Sequence, residues 1–443
     1  MKPTVTLKTR REFLRTTVLG GAVSWTVPTF LAHTFAALQA EAAGRNVTTG
    51  KDGTILVVVQ MAGGNDGLNT IVPFTNDHYH KARPRVGLKE KDVLRINDEL
   101  GFHPALGAFK ALYDEGCLSV IQGIGYPNPN RSHFRSTEIW HTASDSNKFK
   151  KYGWIGRYFD NACQGADPAV GVSVGRQMPQ AFAARRPTGV SLENPQSYRY
   201  VNPDRPEPGE QDTGEATFRM LNDAEVEGEL AFNSGSSIGG IAGTSVIQGS
   251  PLDYLERTAM DAQVSSDKIL QTSNRVANKA AYPNSQLASG LKLVAKLIGG
   301  ELPTRIYYVS QGGYDTHTNQ LTSQDRLLRD LGDSLKAFIE DMKAQGNFER
   351  VAIMTFSEFG RRVGENASGG TDHGAASVMF AMGPKVKAGL QGKYPSIAPG
   401  DLKNGDPVYT TDFRSVYAGV LEGWLKTPSA PVLGQQFKPL VLV

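Results

Sequence analysis

Five short stretches hold most of the side chains able to bind a cation or attack an electrophile. They are Asn65-Asp66-Gly67, "NRSHFR" (Asn130–Arg135), "GGYDTHTNQ" (Gly312–Gln320), "FSEFG" (Phe356–Gly360) and "GGTDHG" (Gly369–Gly374). Between them stand Asp66, Ser132, His133, Asp315, His317, Glu358, Asp372 and His373. Carboxylate oxygens combined with imidazoles suit Zn²⁺, Mn²⁺, Mg²⁺ or Ca²⁺ in varying proportion. Each residue also has a plain structural reading. Asp66 fits a Gly-Asn-Asp-Gly turn, Ser132 fits a helix N-cap, and Glu358 is placed to pair with Arg361 or Arg362.

What brings these pieces together is the pattern of elements around them. Thr54 to Met61 is an almost unbroken apolar, β-branched run, as expected of a strand buried on both faces. Leu118–Gly125, Thr304–Gly313, Arg350–Gly360 and Ser377–Pro384 are similar, so five buried strands are predicted. From Ser323 to Ala344, Leu327, Leu328, Leu331, Leu335, Phe338, Ile339 and Met342 recur at three- and four-residue spacing, which predicts an amphipathic helix. With its flanking strands it forms a βαβ crossover. A second helix is expected after Thr411 or Asp412 as N-cap. The fold class is therefore α/β with a mostly parallel central sheet. In such a sheet ligands bind beyond the carboxyl ends of the strands, where the five stretches fall.

Residues from about 165 to 300 differ in composition. They are rich in Gly, Pro, Ser, Asn and Asp and contain no histidine. They read as an inserted cap with a helical lower half, Leu252 to Ile298, in an otherwise single domain spanning 44–443. Residues 1–43 read as an export signal. Arg10-Arg11 precedes Phe13-Leu14, a modestly apolar stretch follows, and Ala40, Ala42 and Ala43 offer a cleavage site. That stretch is interrupted by Gly20, Gly21 and Pro28, so no stable membrane span is expected. A periplasmic or otherwise exported protein, handled by the twin-arginine machinery, is the expectation.

Composition removes some classes. The net charge of +3 lacks the basic bias of a nucleic-acid binder. The two cysteines, Cys117 and Cys163, are too few for a Cys₄ cluster. They fit either a disulfide or two free thiols. No strand–GxGxxG–helix pattern occurs, which argues against a dinucleotide-dependent oxidoreductase.

The set "GGNDGLNTIVP", "NRSHF", "GGYDTHTNQ", "FSEFGRR", "GGTDHG" and "TDFRSVYA" resembles the alkaline phosphatase and sulfatase superfamily. More closely, it resembles a group of twin-arginine-exported bacterial proteins of unknown function placed in that superfamily. The resemblance implies a three-layer αβα sandwich and two cations roughly 4 Å apart. It implies Asp66 on one metal, Ser132 as nucleophile, and Asp315 with His317 on the other metal. The spacing of that last pair is one residue where relatives leave three. Glu358-Phe359 stands where an Asp-His pair is implied, so one ligand of the second metal is missing. His373 fills the last histidine's place, with Asp372 beside it. Arg131 or Arg135 would hold anionic oxygens, and His133 would carry a proton. The implied substrate is a small-molecule or carbohydrate ester of phosphate or sulfate. The competing expectation is a metal- or ligand-binding protein of the same fold without turnover.

Overall fold

The protein is described by a computed structural model covering residues 53–164, 166–186, 188–196 and 265–442. Its sheet strands are β1 (Ile55–Met61), β2 (Leu118–Gly125), β3 (Gly171–Val174), β4 (Val190–Leu192), β5 (Ile306–Gln311) and β6 (Val351–Phe356). A hairpin of β7 (Arg361–Glu365) and β8 (Thr371–His373) follows, then β9 (Ser377–Met382), β10 (Gly389–Gln391) and β11 (Thr411–Asp412). The main sheet runs in the order β10-β2-β9-β6-β1-β5-β3-β4, with β11 paired to β2. β9 is antiparallel to both neighbours; the pairs around β1 are parallel. All five predicted strands are present, in a mixed α/β fold with a mostly parallel central sheet.

β1 is central because every one of its side chains is apolar or buried. Ile55, Val57, Val59 and Met61 join a cluster with Phe109 of α1 (Gly107–Asp114), Leu291 of α4 (Gln286–Gly299) and Leu331 of α5 (Gln320–Gln345). Leu56 and Val58 join another, with Trp140 of α2 (His133–Thr142), Tyr158 of α3 (Trp154–Ala162) and Tyr417 of α6 (Phe413–Gly419). Alternate residues of one strand thus feed two apolar clusters, as period-two geometry requires. Each such side chain contributes roughly 1.5–3 kcal/mol by leaving water.

Register sets the rim. Val57 lies opposite both Tyr307 and Ile353, so β5, β1 and β6 end level with one another. Ser377 lies opposite Ile124, which puts the start of β9 beside the end of β2. The chain segments carrying all five chemical stretches therefore leave the sheet at one edge.

Some expectations need revision. The ends of the stretch read as an insertion belong to the body of the fold: β3 and β4 extend the sheet, and α4 packs in the core. These strands are only four and three residues long, too short for a pattern to register in the sequence. The middle of the proposed cap, 197–264, lies outside the described residues, as does the proposed export signal at 1–43. The described residues fall in one contact unit, Asn46–Val201 with Ile241–Val443. Asp412 is the N-cap of α6, accepting from the Arg414 amide. Cys117 and Cys163 are free thiols, and burial pushes Cys163 up to about 11. Among the described residues no helix is long and apolar enough to cross a membrane.

Two buried histidines make stability pH-dependent. His103 Nδ1 accepts the Ala105 amide at 3.1 Å, and burial lowers its pKa to about 4. His141 sits beside the Tyr308 hydroxyl, and burial lowers its pKa to about 4 as well. Both are depressed below the unfolded value of 6.5, so the unfolded chain binds the extra protons. Their contribution is complete above pH ~6.5 and is lost as pH falls toward 4, with a slope of up to about 1.4 kcal/mol per pH unit for each. Urea midpoints between pH 7.5 and 4.5 should fall accordingly. His103→Asn, which keeps a capping acceptor, should remove about one proton from the slope. An unchanged slope in that variant would show that His103 does not titrate.

Candidate metal centre

Asp315 and His317 follow β5 through Gly312-Gly313. The Tyr314 amide bonds the Ala62 carbonyl at 3.1 Å, tying this loop to the one after β1. The β7–β8 hairpin pairs Arg361 with His373 and lies over Thr316–His317. A Cβ on Gly370 would stand 2.3 Å from the His317 backbone, so only glycine permits that approach. The "GGTDHG" stretch, expected as a loop, is thus partly a strand. Arg361, almost fully buried, binds the loops together. It donates to the carbonyls of Gly63 (2.5 Å), Gly64 (2.7 Å), Tyr314 (2.9 Å) and Thr371 (2.9 Å), and to Asp315 Oδ1 (2.7 Å).

Around Asp315 three imidazoles meet. His373 Nε2 is 3.0 Å and His317 Nε2 3.1 Å from Oδ1, and His133 Nε2 is 3.3 Å from Oδ2. His317 Nε2 and His373 Nε2 are 2.9 Å apart. His133, Asp315 and His373 offer ligand atoms all within 4.8 Å of one another.

The opposite ring nitrogens settle the tautomers. His133 Nδ1 faces Glu358 Oε1 at 2.9 Å, His373 Nδ1 faces the Arg131 carbonyl at 2.9 Å, and His317 Nδ1 faces Asp372 Oδ1 at 3.2 Å. An ionised carboxylate and a carbonyl only accept, so each Nδ1 carries the proton. With Nδ1 so held, Nε2 of each ring points inward, the arrangement of outer partners that orients metal-ligating histidines. Burial opposes the charge on Asp315, but the hydrogen bond from Arg361 and its charge prevail and lower its pKa to about 2. Arg361 already meets Asp315 Oδ1 at 2.7 Å and His317 Nε2 at 3.5 Å, and a divalent cation would draw the remaining inward-facing atoms together. His133, Asp315 and His373 form the set placed to hold a divalent metal, and His317 stands beside it, its Nε2 2.9 Å from that of His373. The donor set fits a divalent metal.

The other candidate residues take different positions. Asp66 is nine-tenths-plus buried. Its carboxylate accepts Arg83 twice (2.6 and 3.1 Å), Gln320 Nε2 (2.5 Å) and the Leu68 and Asn69 amides. Its lone pairs are all engaged, so it is not a ligand here. Glu358 and Asp372 are not among the converging atoms; they hold His133 and His317. Glu358 pairs with neither Arg361 nor Arg362, being buried against His133 and the Gly63 amide. Arg131 places its carbonyl on His373 and pairs Nε and Nη2 of its guanidinium with Asp406. Arg135 is held by Glu138 and three carbonyls. Ser132 stands at the N-cap of α2, exposed, its hydroxyl not used for capping. His133, expected as a proton carrier, is a member of the centre. Phe359 lies under it, with ring centroids 4.9 Å from His133 and 4.6 Å from His373.

The model of a family described as a protein of unknown function, DUF1501, matches residues 54–417. The chain belongs to the DUF1501 family. No curated protein matches it. Among solved structures, this DUF1501 chain is similar to the PsFucS1 sulfatase from Pseudoalteromonas sp., at 8% identity and a TM-score of 0.37, covering 92% of this chain and 74% of that one. It is similar also to a protein in the alkaline phosphatase superfamily from Vibrio parahaemolyticus, at 10% identity and a TM-score of 0.36, covering 91% and 78%. Overlaps this loose assign no residue.

Arg83, Arg361 and Gln320 escaped the sequence reading, since nothing in a lone sequence marks a charged or amide side chain as buried. A steric feature beneath the centre gives a direct test. Gly64 has φ +81°, and a Cβ there would lie 2.2 Å from the Phe359 ring. Gly64→Ala is expected to cost about 1–3 kcal/mol by overpacking and to weaken metal binding by pressing Phe359 into the imidazoles. Gly312→Ala, with open space around its Cβ, is the control. Denaturant midpoints and metal titration of both variants measure the difference; equal behaviour would show that Phe359 yields freely.

Proposed function

We propose that this chain is an exported, metal-dependent, hydrolase-like protein acting on a phosphate or sulfate ester. The observation that carries the reading is the convergence of Nε2 atoms from His133, His317 and His373 on the Asp315 carboxylate. The surrounding architecture is proposed as a three-layer αβα sandwich of alkaline-phosphatase type. Export through the twin-arginine pathway rests on the Arg10-Arg11 pattern and is part of the same proposal.

A divalent cation at the centre would supply Lewis-acid polarisation of a phosphoryl or sulfuryl oxygen. The chain's own residues supply the rest. Ser132 is next to His133, exposed, with an uncapped hydroxyl, and is proposed as nucleophile. Its Oγ bonds to phosphorus or sulfur while the bond to the alcohol oxygen breaks, and water later releases the serine. Glu358, Asp372 and the Arg131 carbonyl keep the imidazoles in register.

A second reading, metal binding without turnover, has a specific observation in its favour. Asp66 is taken up by Arg83 and Phe359 stands where a ligand was implied, so the ligands of a second metal are missing. Assays on 4-nitrophenyl phosphate and 4-nitrophenyl sulfate with added Zn²⁺, Mn²⁺, Mg²⁺ or Ca²⁺ separate the two. Turnover that disappears in Ser132→Ala while metal is retained supports the hydrolase. Tightly held metal with neither ester cleaved supports the binding protein, and parental turnover in Ser132→Ala removes the serine from the mechanism.

A further inference from the structure

Two aromatic side chains reach into solvent beside the centre. Phe134 is 91% exposed and Phe149 is 78% exposed, the two barest large apolar side chains among the described residues. Phe134 follows His133 in the first turn of α2, and Phe149 lies in the connection from α2 to α3. Arg135 ties the two places together. Its guanidinium lies over the Phe149 ring, 3.9 Å from the centroid. Its Nη2 donates to the carbonyls of Asp145 (3.2 Å), Ser146 (3.1 Å) and Lys148 (2.6 Å). The connection is thus fastened to the residue next to Phe134, and both rings belong to one part of the surface.

Charge on this part is one-sided. From Ser146 to Phe159 the chain carries Lys148, Lys150, Lys151 and Arg157 and no carboxylate. Lys150 and Arg157 turn inward: Lys150 Nζ donates to the Leu433 carbonyl at 2.9 Å and Arg157 Nη2 to the Thr142 carbonyl at 2.7 Å. Lys148 and Lys151 are exposed. The neighbouring carboxylates are already matched, Glu138 by Arg135 (2.7 Å) and Asp145 by Arg414 (2.6 Å) and Lys148 (2.9 Å). Lys151 meets the Tyr152 ring at 5.4 Å and no carboxylate among the described residues.

Bare aromatic rings set among exposed ammonium groups match the two layers of a lipid headgroup region. The rings enter the acyl boundary, and the ammonium groups meet lipid phosphates. A protein partner fits less well. A stable interface takes about 800 Å² from each side around a continuous apolar core, and here a guanidinium covers the Phe149 ring on the side toward α2.

We propose that Phe134, Lys148, Phe149 and Lys151 form a docking surface for an anionic lipid bilayer. The contact is peripheral and reversible, made by side chains and not by a crossing helix. It requires neither metal nor turnover, so it stands apart from the ester reading. Because His133 and Phe134 are consecutive, a docked chain holds the centre at the level of the headgroups.

Flotation of the full chain with vesicles of phosphatidylglycerol and phosphatidylethanolamine in equal parts, and with vesicles of phosphatidylcholine alone, tests the surface. The parent should partition to the first and much less to the second. Phe134→Ser/Phe149→Ser should lower partition to the anionic vesicles about tenfold or more, by loss of the inserted rings. Lys148→Gln/Lys151→Gln should lower it about tenfold, by loss of two charges at the surface. The proposed leader is common to parent and variants, and a urea midpoint equal to the parent's certifies each fold. Hydrogen exchange localises the contact: anionic vesicles should slow the amides of 133–152. Partition indifferent to lipid charge, partition equal in parent and folded variants, or slowing confined to residues outside 133–152 overturns the proposal. A parent that ignores both kinds of vesicle overturns it too; if that parent self-associates in sedimentation and the phenylalanine variant does not, the rings belong to a contact between copies of this chain.

Discussion

Arg83→Met is expected to lower the unfolding free energy by about 3–5 kcal/mol, the effect of breaking a buried ion pair from one side. Both partners are fully buried, and Arg83 joins three parts of the fold. It holds Asp66 at the start of the one-turn helix Gly67–Thr70, Asn69 within it (2.6 Å), and the Arg362 and Val363 carbonyls of β7 (2.8 Å each). Methionine fills similar space but leaves the Asp66 charge and two carbonyls short of donors. The double variant Arg83→Met/Asp66→Asn should recover part of the loss, because the stranded charge is gone. Urea denaturation with a double-mutant cycle measures this. A single-variant loss under about 1 kcal/mol would mean that water reaches Asp66. Because β7 carries Arg361, which grips Asp315, a weaker metal affinity should accompany the loss of stability.

The second large effect concerns the centre. Asp315→Ala should reduce metal affinity on the order of 100-fold or more, since it removes the only anion among the converging groups and loss of a mere outer-shell partner already costs 10- to 100-fold. The Asp315 side chain is 45% exposed, so the fold should persist. His373→Ala should act in the same direction. Asp372→Asn and Glu358→Gln should be milder, because each still offers an oxygen to the Nδ1–H it orients. Metal titration by calorimetry separates the classes. If the outer pair proved as damaging as Asp315, the division between ligands and orienting groups would be wrong.

Much of the scaffold was legible because its signals are local. The apolar run of β1 and the three-four spacing of Leu327, Leu328, Leu331 and Leu335 in α5 predicted elements that the structure contains. The rule that chemistry gathers at strand ends located the rim. The roles within the rim were not legible, because they depend on partners distant in sequence. Asp66 is claimed by Arg83, seventeen residues on. Glu358 and Asp372 look like ligands until their imidazole partners are known. Arg361 and Arg362 are adjacent, yet strand alternation buries the first and half-exposes the second. His133 was read beside Ser132, and only the helix start that turns its ring toward Asp315 makes it part of the cluster.

Metal analysis of the freshly purified protein, with X-ray absorption at the edge of whatever metal is found, tests the centre most directly. One equivalent of a divalent metal with imidazole and oxygen scatterers near 2.0–2.1 Å, lost in Asp315→Ala and retained in Ser132→Ala, is the expected result. A metal-free protein that takes up none of Zn²⁺, Mn²⁺, Mg²⁺ or Ca²⁺ at millimolar concentration would contradict it, leaving three imidazoles and a carboxylate that share protons rather than a cation.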